Sequence, residues 1–173
     1  SGLDIAHANR RRLDSSRDPS RRYINIADCL FTQNRLGKKT SAGWYHYPDG
    51  KITADPIVED IICREAEAAN IKRRYFSSDE IQQRLLLAMI NEAANILHEG
   101  IATSAADIDL VLVHGYGFPR WRGGLMHYAD QLGASLIMAE LTKLCDEDPI
   151  FWQPSRLIVD CAKTRQNFAS YNK

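Results

Sequence analysis

The chain has 173 residues, 45% of them hydrophobic, which suits one ordinary domain or two small halves that share a core. Its 22 lysines and arginines balance 22 aspartates and glutamates, so there is no overall positive field to recruit nucleic acid. No apolar run approaches the roughly 20 residues that span a bilayer, so we predict neither a nucleic-acid partner nor a membrane span.

The first third of the chain predicts two helices and a short extended segment. Apolar spacing indicates a helix over residues 3–12 and, after a polar loop, a second one over 23–33 that stops near Gly37. The alternating aromatics of residues 44–47 then predict an extended segment that ends in the turn at 48–50.

Helix-capping signals divide the rest of the chain. Asp55-Pro56 is a favourable helix start, Ser77 and Glu80 form a capping box, Gly100 ends the apolar run that follows, and Ser104 can cap another helix. We therefore predict helices over residues 56–73, 78–99, 105–113, 125–131, 134–146 and 155–165. No convincing strand partner is evident in the sequence, so the predicted fold class is all-α.

Two sets of polar residues are interpreted as solvated surface. The first is a stripe on the helix over 78–99, made of Arg84, Asn91, Asn95 and His98. The second is an early basic segment, for which contact with a phosphate is the alternative. Its arginines are Arg10, Arg11, Arg12, Arg17, Arg21 and Arg22.

The segment over residues 108–117 looks at first like a strand that runs into a G-x-G nucleotide loop. The match fails because Arg120 stands where a third glycine belongs and Pro119 precedes it, so we reject dinucleotide binding there. The four cysteines and five histidines are also spread without metal-ligand spacing, which predicts reduced thiols and no metal site.

A weak internal repeat relates the two ends of the chain. Ile26-x-Asp28-Cys29-x-x-Thr32 recurs as Ile158-x-Asp160-Cys161-x-x-Thr164, a shift of 132 residues, while Gly2 aligns with Gly133 at a shift of 131. The chain opens without an initiator methionine and already in an apolar pattern, so we expect further residues upstream.

Several short motifs stand between residues 83 and 133. They are Gln83-Arg84-Leu85-Leu86, Asn91-Glu92-Ala93-Ala94, Glu99-Gly100, Ala106-Asp107-Ile108-Asp109, Gly115-Tyr116-Gly117-Phe118-Pro119 and Arg122-Gly123-Gly124. Together they resemble the C-terminal domain of 3-hydroxyacyl-CoA dehydrogenases, most of all its second copy in multifunctional β-oxidation enzymes. Residues 37–47 resemble the end of a first copy of that domain.

The resemblance implies tandem helical repeats like those of the C-terminal domain of 6-phosphogluconate dehydrogenase. Residues 1–50 would end the first repeat, 51–77 would be a linker with a connecting helix, and 78–173 would form the second repeat. The full-length enzyme would use NAD to oxidise (S)-3-hydroxyacyl-CoA, with the cofactor and a His–Glu pair in an upstream Rossmann domain.

The resemblance also implies that this chain is structural and inactive by itself. Gln83 stands where the first repeat of the family has an asparagine that supports catalysis, so we assign no catalytic, cofactor-binding or metal-binding residue. Contacts with acyl-CoA or with another domain are predicted for Lys38, Lys39, Gly117, Phe118, Pro119, Arg122 and Gly123.

The partners implied are the upstream Rossmann and enoyl-CoA hydratase domains, the acyl-CoA substrate, and a second copy or a thiolase subunit. The last residues are not a peroxisomal S-K-L signal, which favours a bacterial cytoplasm, or an organellar matrix in a eukaryote. The alternative function is a free-standing helical interaction or dimerisation module without enzymatic activity.

Overall fold

The structure is a computed structural model that describes residues 2–171. Within that range it contains no strand longer than an isolated bridge, and its regular elements are helices, which confirms the predicted all-α class. The α-helices are α1 (Leu3–Arg12), α2 (Ile26–Thr32), α3 (Pro56–Ala68), α4 (Ser78–Glu99), α5 (Ala105–Gly115), α6 (Leu125–Leu132), α7 (Ala134–Leu144) and α8 (Arg156–Thr164).

Three helices begin at the caps that the sequence indicated. The Asp55 carboxylate accepts a hydrogen bond from the backbone N–H of Ile57 at 3.0 Å. The hydroxyls of Ser77 and Ser104 accept from the residues three positions later, each at 3.2 Å. Each cap satisfies a backbone donor that has no partner inside its own helix.

Helix α3 ends five residues before the predicted residue 73. Asn70 adopts a left-handed backbone with φ of 53°, the backbone N–H of Ile71 reaches back to the carbonyl of Ala66, and that of Asn70 reaches Glu67. This is a Schellman ending with asparagine in the place that glycine usually takes, which is why no glycine signalled it.

The predicted extended segment at residues 44–47 forms a single bridge with the chain beyond the turn. His46 and Thr53 exchange backbone hydrogen bonds of 3.0 and 2.9 Å. The predicted second helix is shorter than its apolar pattern suggested, because it begins at Ile26 instead of residue 23.

The chain divides into two compact units, one up to Tyr75 and one from Phe76 onward. In the N-terminal unit, α3 packs against α2 through a small core of Leu30, Val58 and Ile61. A buried ion pair between Arg35 and Asp55 reinforces this unit.

The C-terminal unit is built around the apolar face of α4. Helices α6, α7 and α8 all pack against α4, while α5 packs against α6. Ile90, Ala94 and Leu97 on α4 have no exposed surface, like Met126 on α6 and Leu141 on α7. A long amphipathic helix thus supplies one continuous surface that shorter helices cover.

The internal repeat has a structural counterpart. A shift of 131 residues carries Leu3–Arg12 onto residues 134–143, which lie inside α7, and a shift of 132 carries Ile26–Thr32 onto 158–164, inside α8. Helices α1 and α2 pack against each other, and so do α7 and α8. The repeated sequence therefore folds into the same pair of packed helices in each unit.

One member of the predicted solvated stripe is buried. Asn91 is 7% exposed, its amide nitrogen donates to the carbonyl of Gln153 at 2.9 Å, and its amide oxygen accepts from the N–H of Ser155 at 2.8 Å. Interpreting Asn91 as part of a solvent face was wrong, because the amide satisfies buried backbone groups ahead of α8.

Candidate functional site

The glycine-rich loop between α5 and α6 contains most of the residues for which a contact was predicted. Gly117 and Gly123 have φ angles of 72° and 76°, and Gly124 has 131°, so each takes a backbone shape that other residues rarely adopt. These glycines allow the chain to leave α5 and enter α6 within nine residues, from Tyr116 to Gly124.

Asp109 connects α5 to the start of α6. Its two carboxylate oxygens accept hydrogen bonds from the backbone N–H groups of Met126 at 2.6 Å and His127 at 3.0 Å. A carboxylate here satisfies unpaired donors and complements the positive end of the α6 dipole. A Cβ atom on Gly124 would lie 2.2 Å from the Asp109 Cγ, so the contact requires glycine at that position.

Arg122 is held between two aromatic rings. Its guanidinium carbon lies 4.6 Å from the ring centroid of Trp121 and 4.6 Å from that of Tyr128. Cation–π contacts on two rings hold the side chain in place and leave its N–H donors at the edge of the loop. The side chain of Trp121 remains 79% exposed.

The other predicted contact residues are placed differently from one another. Phe118 is 9% exposed and belongs to the core of the C-terminal unit, whereas Pro119 lies exposed beside it. In the N-terminal unit Lys38 is exposed, and the Lys39 ammonium donates to Asp4 at 2.6 Å. That hydrogen bond from Lys39 is the main cause that lowers the pKa of Asp4. The predicted ligand contacts of these residues stay predictions.

Gln83 lies on α4 in the C-terminal unit. Its amide nitrogen donates to the Glu140 carboxylate at 3.3 Å, and Glu140 also accepts from Lys143 at 2.6 Å. Since Glu140 is on α7, the amide braces two helices.

The residues present around Gly115–Gly117 do not fit a dinucleotide. Residues 108–115 belong to α5, so the glycines follow the carbonyl end of a helix. That end carries partial negative charge, whereas a pyrophosphate is held by the opposite end, where N–H groups are free.

The sequence did not reveal a charged cluster in the N-terminal unit around Asp28 on α2. The Asp28 carboxylate accepts from Arg10 at 2.6 and 3.1 Å and from the Tyr23 hydroxyl, and His7 Nδ1 lies 2.9 Å away. Burial raises the pKa of Asp28, but the hydrogen bonds from Tyr23, His7 and Arg10 outweigh it and lower that pKa to about 2.

One feature of the sequence that points toward this cluster is the spacing of residues on α1. His7 and Arg10 are three residues apart and so share one face of the helix, and His7 also stacks on the ring of Phe31 at 3.8 Å. The sequence does not show that this face meets Asp28.

Known proteins resemble this chain in both fold and sequence. The fold matches a crystal structure described as the dehydrogenase part of multifunctional enzyme 1 from C. elegans, with a TM-score of 0.66 and 21% identity over 92% of this chain and 36% of that one. The chain thus has the helical fold found in the dehydrogenase part of a multifunctional enzyme.

The family follows from the sequence match. Residues 81–166 match the family model for the 3-hydroxyacyl-CoA dehydrogenase, C-terminal domain. The chain is 44% identical over 133 residues to the peroxisomal bifunctional enzyme of Pongo abelii, and 32% identical over 144 residues to a peroxisomal fatty acid beta-oxidation multifunctional protein of Oryza sativa. These alignments cover 75% and 80% of this chain.

The chain belongs to the 3-hydroxyacyl-CoA dehydrogenase family and contains the C-terminal domain of the multifunctional β-oxidation type. The resemblance drawn from residues 83–133 is confirmed. The aligned region spans only 18% of the Pongo abelii enzyme and 20% of the Oryza sativa protein, about a fifth of each relative.

No helix in the part of the chain that the structure describes is long and apolar enough to cross a membrane. Among those same residues, no three histidine, cysteine, aspartate or glutamate side chains lie together in a way that could hold a metal ion.

We predict that Gly124→Ala lowers the free energy of unfolding by about 2–4 kcal/mol, because the new Cβ meets Asp109 and the backbone is left-handed. Urea unfolding followed by circular dichroism measures the loss. The matched control is Gly115→Ala, whose added Cβ meets nothing within 4 Å at the end of α5. It should change stability by less than about 1 kcal/mol. Equal losses in both variants would contradict the role of Asp109.

The lowered pKa of Asp28 predicts acid sensitivity of the N-terminal unit. The folded-state pKa is about 2 and the unfolded value about 3.9, so the stabilisation of about 2 kcal/mol is complete above about pH 5 and is lost as pH falls toward 2. Asp28→Asn should therefore lower stability at pH 7 and flatten the loss between pH 4 and 2.

Unfolding in urea at a series of pH values, read by circular dichroism, tests the Asp28 prediction. The control is Asp14→Asn, because the Asp14 side chain is 51% exposed and makes only an ion pair with nearby arginines. An Asp28→Asn profile parallel to that of the unsubstituted chain at every pH would rule the prediction out.

Proposed function

We propose that this chain is the non-catalytic helical part of an NAD-dependent enzyme that oxidises (S)-3-hydroxyacyl-CoA to 3-ketoacyl-CoA in fatty-acid β-oxidation. The observation that carries the proposal is a hydrogen bond made by Gln83, which stands where the family's first repeat has a catalytic asparagine. The Gln83 amide donates to Glu140 of the same unit. Gln83 is exposed on α4, and this hydrogen bond directs its amide toward α7, which supports a packing role at this position.

The NAD would be held by a Rossmann domain elsewhere in the full-length polypeptide, and an enoyl-CoA hydratase domain would accompany it. The length of the relatives supports this, since this chain aligns with only about a fifth of each. When bound, the cofactor supplies hydride transfer, and the residues of this chain would contribute support and shape. A second copy of the chain or a thiolase subunit stays a predicted partner.

The relatives are named as peroxisomal enzymes, which favours the matrix of an organelle over a bacterial cytoplasm as the location of this protein.

An exposed apolar surface suggests where the C-terminal unit meets the rest of the enzyme. Leu110, Val111, Tyr116 and Trp121 are 57–80% exposed, and all lie on α5 or the loop after it. Several exposed apolar side chains within one short stretch of chain are typical of interaction surfaces. We assign this surface to the upstream dehydrogenase portion of the same polypeptide, because the relatives are about five times as long as the aligned segment.

The activity prediction separates the part from the whole. Residues 1–173 should neither bind NAD nor reduce acetoacetyl-CoA with NADH, whereas the full-length protein should do both. Fluorescence titration with NADH and a spectrophotometric assay at 340 nm measure the two properties. Dehydrogenase activity from residues 1–173 alone would overturn the proposal. A natural gene product of about 20 kDa would instead favour the free-standing helical module, since this chain has a mass of 19.6 kDa.

The surface assignment predicts different effects of one double variant in two settings. Leu110→Ser with Trp121→Ser should change the stability of the isolated chain by less than about 1 kcal/mol, because both residues are exposed. In the full-length protein it should lower the melting temperature and the dehydrogenase activity. The control is Leu136→Ser, at a residue that is 50% exposed on α7. If control and double variant behave alike in the full-length protein, α5 does not form the interface.

A further inference from the structure

A cleft in the N-terminal unit lies between the end of α1 and the loop that leads to α2. Its volume is about 490 Å³, within the range of small-molecule sites. We call it the arginine cleft, and the side chains that line it and matter here are Arg10, Leu13, Ser16, Arg17, Arg21 and Tyr23.

The local charge around the arginine cleft is strongly positive. Residues 10–23 contain six arginines and two aspartates, and Asp28, which Arg10 and Tyr23 contact, adds a third carboxylate, so the local net charge is +3 in a chain whose formal net charge is zero. The basic residues in the last turn of α1 complement the negative end of the helix. That explanation does not extend to Arg17 and Arg21, which lie beyond the helix in the loop.

Two of the three lining arginines are held in place by other side chains. Arg10 donates through Nε and Nη2 to Asp28, and the Arg17 guanidinium stacks 3.8 Å from the centroid of the Tyr23 ring. Arg17 also pairs with Asp14 at 3.1 Å through one nitrogen. Because a guanidinium has five N–H donors, both side chains retain donors for an anion while their positions are fixed.

The one acidic residue that lines the arginine cleft, Asp18, is engaged in a turn. Asp18 accepts hydrogen bonds from the backbone N–H and the hydroxyl of Ser20, at 2.9 and 2.6 Å. Arg21 is exposed at the end of the same turn. Its long side chain can therefore reach a bound anion without breaking a buried contact.

We propose that the arginine cleft binds a small phosphate-bearing ligand, whose phosphate is contacted by Arg10, Arg17 and Arg21. Planar guanidinium groups match phosphate oxygens two at a time, which a single ammonium group cannot do. Leu13 is 47% exposed and Tyr23 is 39% exposed, so an apolar or aromatic part of the ligand has a surface to contact next to the phosphate. The inference concerns the N-terminal unit and does not depend on the proposed dehydrogenase role.

Calorimetric titration of residues 1–173 with inorganic phosphate, pyrophosphate and AMP tests the arginine cleft. We expect pyrophosphate to bind with a dissociation constant of about 1 mM or lower at low ionic strength, and to be weakened by salt. Tighter binding of AMP than of phosphate assigns the cleft to a nucleotide-type ligand, and equal binding assigns it to free phosphate. Failure of all three anions to bind overturns the proposal.

Two single variants distinguish a built site from a diffuse positive field. Arg21→Ala should weaken pyrophosphate binding roughly tenfold, because it removes charge-assisted hydrogen bonds. Arg12→Ala removes the same charge from α1, but Arg12 contacts Asn9 and does not line the arginine cleft, so binding should change by less than about twofold.

Circular dichroism confirms that each variant is folded before titration. Equal weakening by Arg21→Ala and Arg12→Ala would contradict a defined cleft. Binding to phosphatidylserine vesicles without binding to any soluble phosphate would also contradict it, because it would point to a membrane surface.

Discussion

The C-terminal unit depends on the burial of one face of α4. Ile90, Ala94 and Leu97 are completely removed from solvent there, and α6, α7 and α8 each cover part of the same face. Burying apolar surface is the dominant favourable term in folding, so covering this face of α4 stabilises α6, α7 and α8. Helices α7 and α8 also pack against each other, as do α5 and α6. The Asp109 contact and the Asn91 amide then fix how α6 and the segment before α8 are placed, because each satisfies backbone groups at one position only.

The N-terminal unit repeats the pair of packed helices but is stabilised in a different way. Its buried apolar cluster contains Leu30, Val58 and Ile61, and charged side chains add further contacts between distant parts of the unit. Arg35 pairs with Asp55, and Asp28 gathers three partners. Because the hydrogen bonds to Asp28 lower its pKa in the folded state, the stability of this unit depends on pH. Apolar burial carries no such dependence.

Local signals in the sequence predicted the helices well, and long-range contacts were not predictable. Caps such as Ser77 act within three residues, so they mark a helix start without any knowledge of the fold. The end of α3 at Asn70 was not predicted, because asparagine tolerates a left-handed backbone but does not require one. Asn91 and Asp28 were missed for another reason. Apart from Tyr23, which is five residues from Asp28, their partners lie 18 to 64 residues away along the chain. A polar residue on a helix looks the same in the sequence whether water or a distant group satisfies it.

The proposal that this chain is non-catalytic depends on Gln83. The family resemblance aligns it with an asparagine of the first repeat, and one additional methylene lengthens its reach along α4. In this unit the amide meets Glu140 on α7, which Lys143 also holds. If Gln83 turned away from Glu140, its amide would need another hydrogen-bond partner. We therefore propose that this helical position stabilises packing here, whereas the family's first repeat uses it for chemistry, because function depends on the site and not on the fold alone.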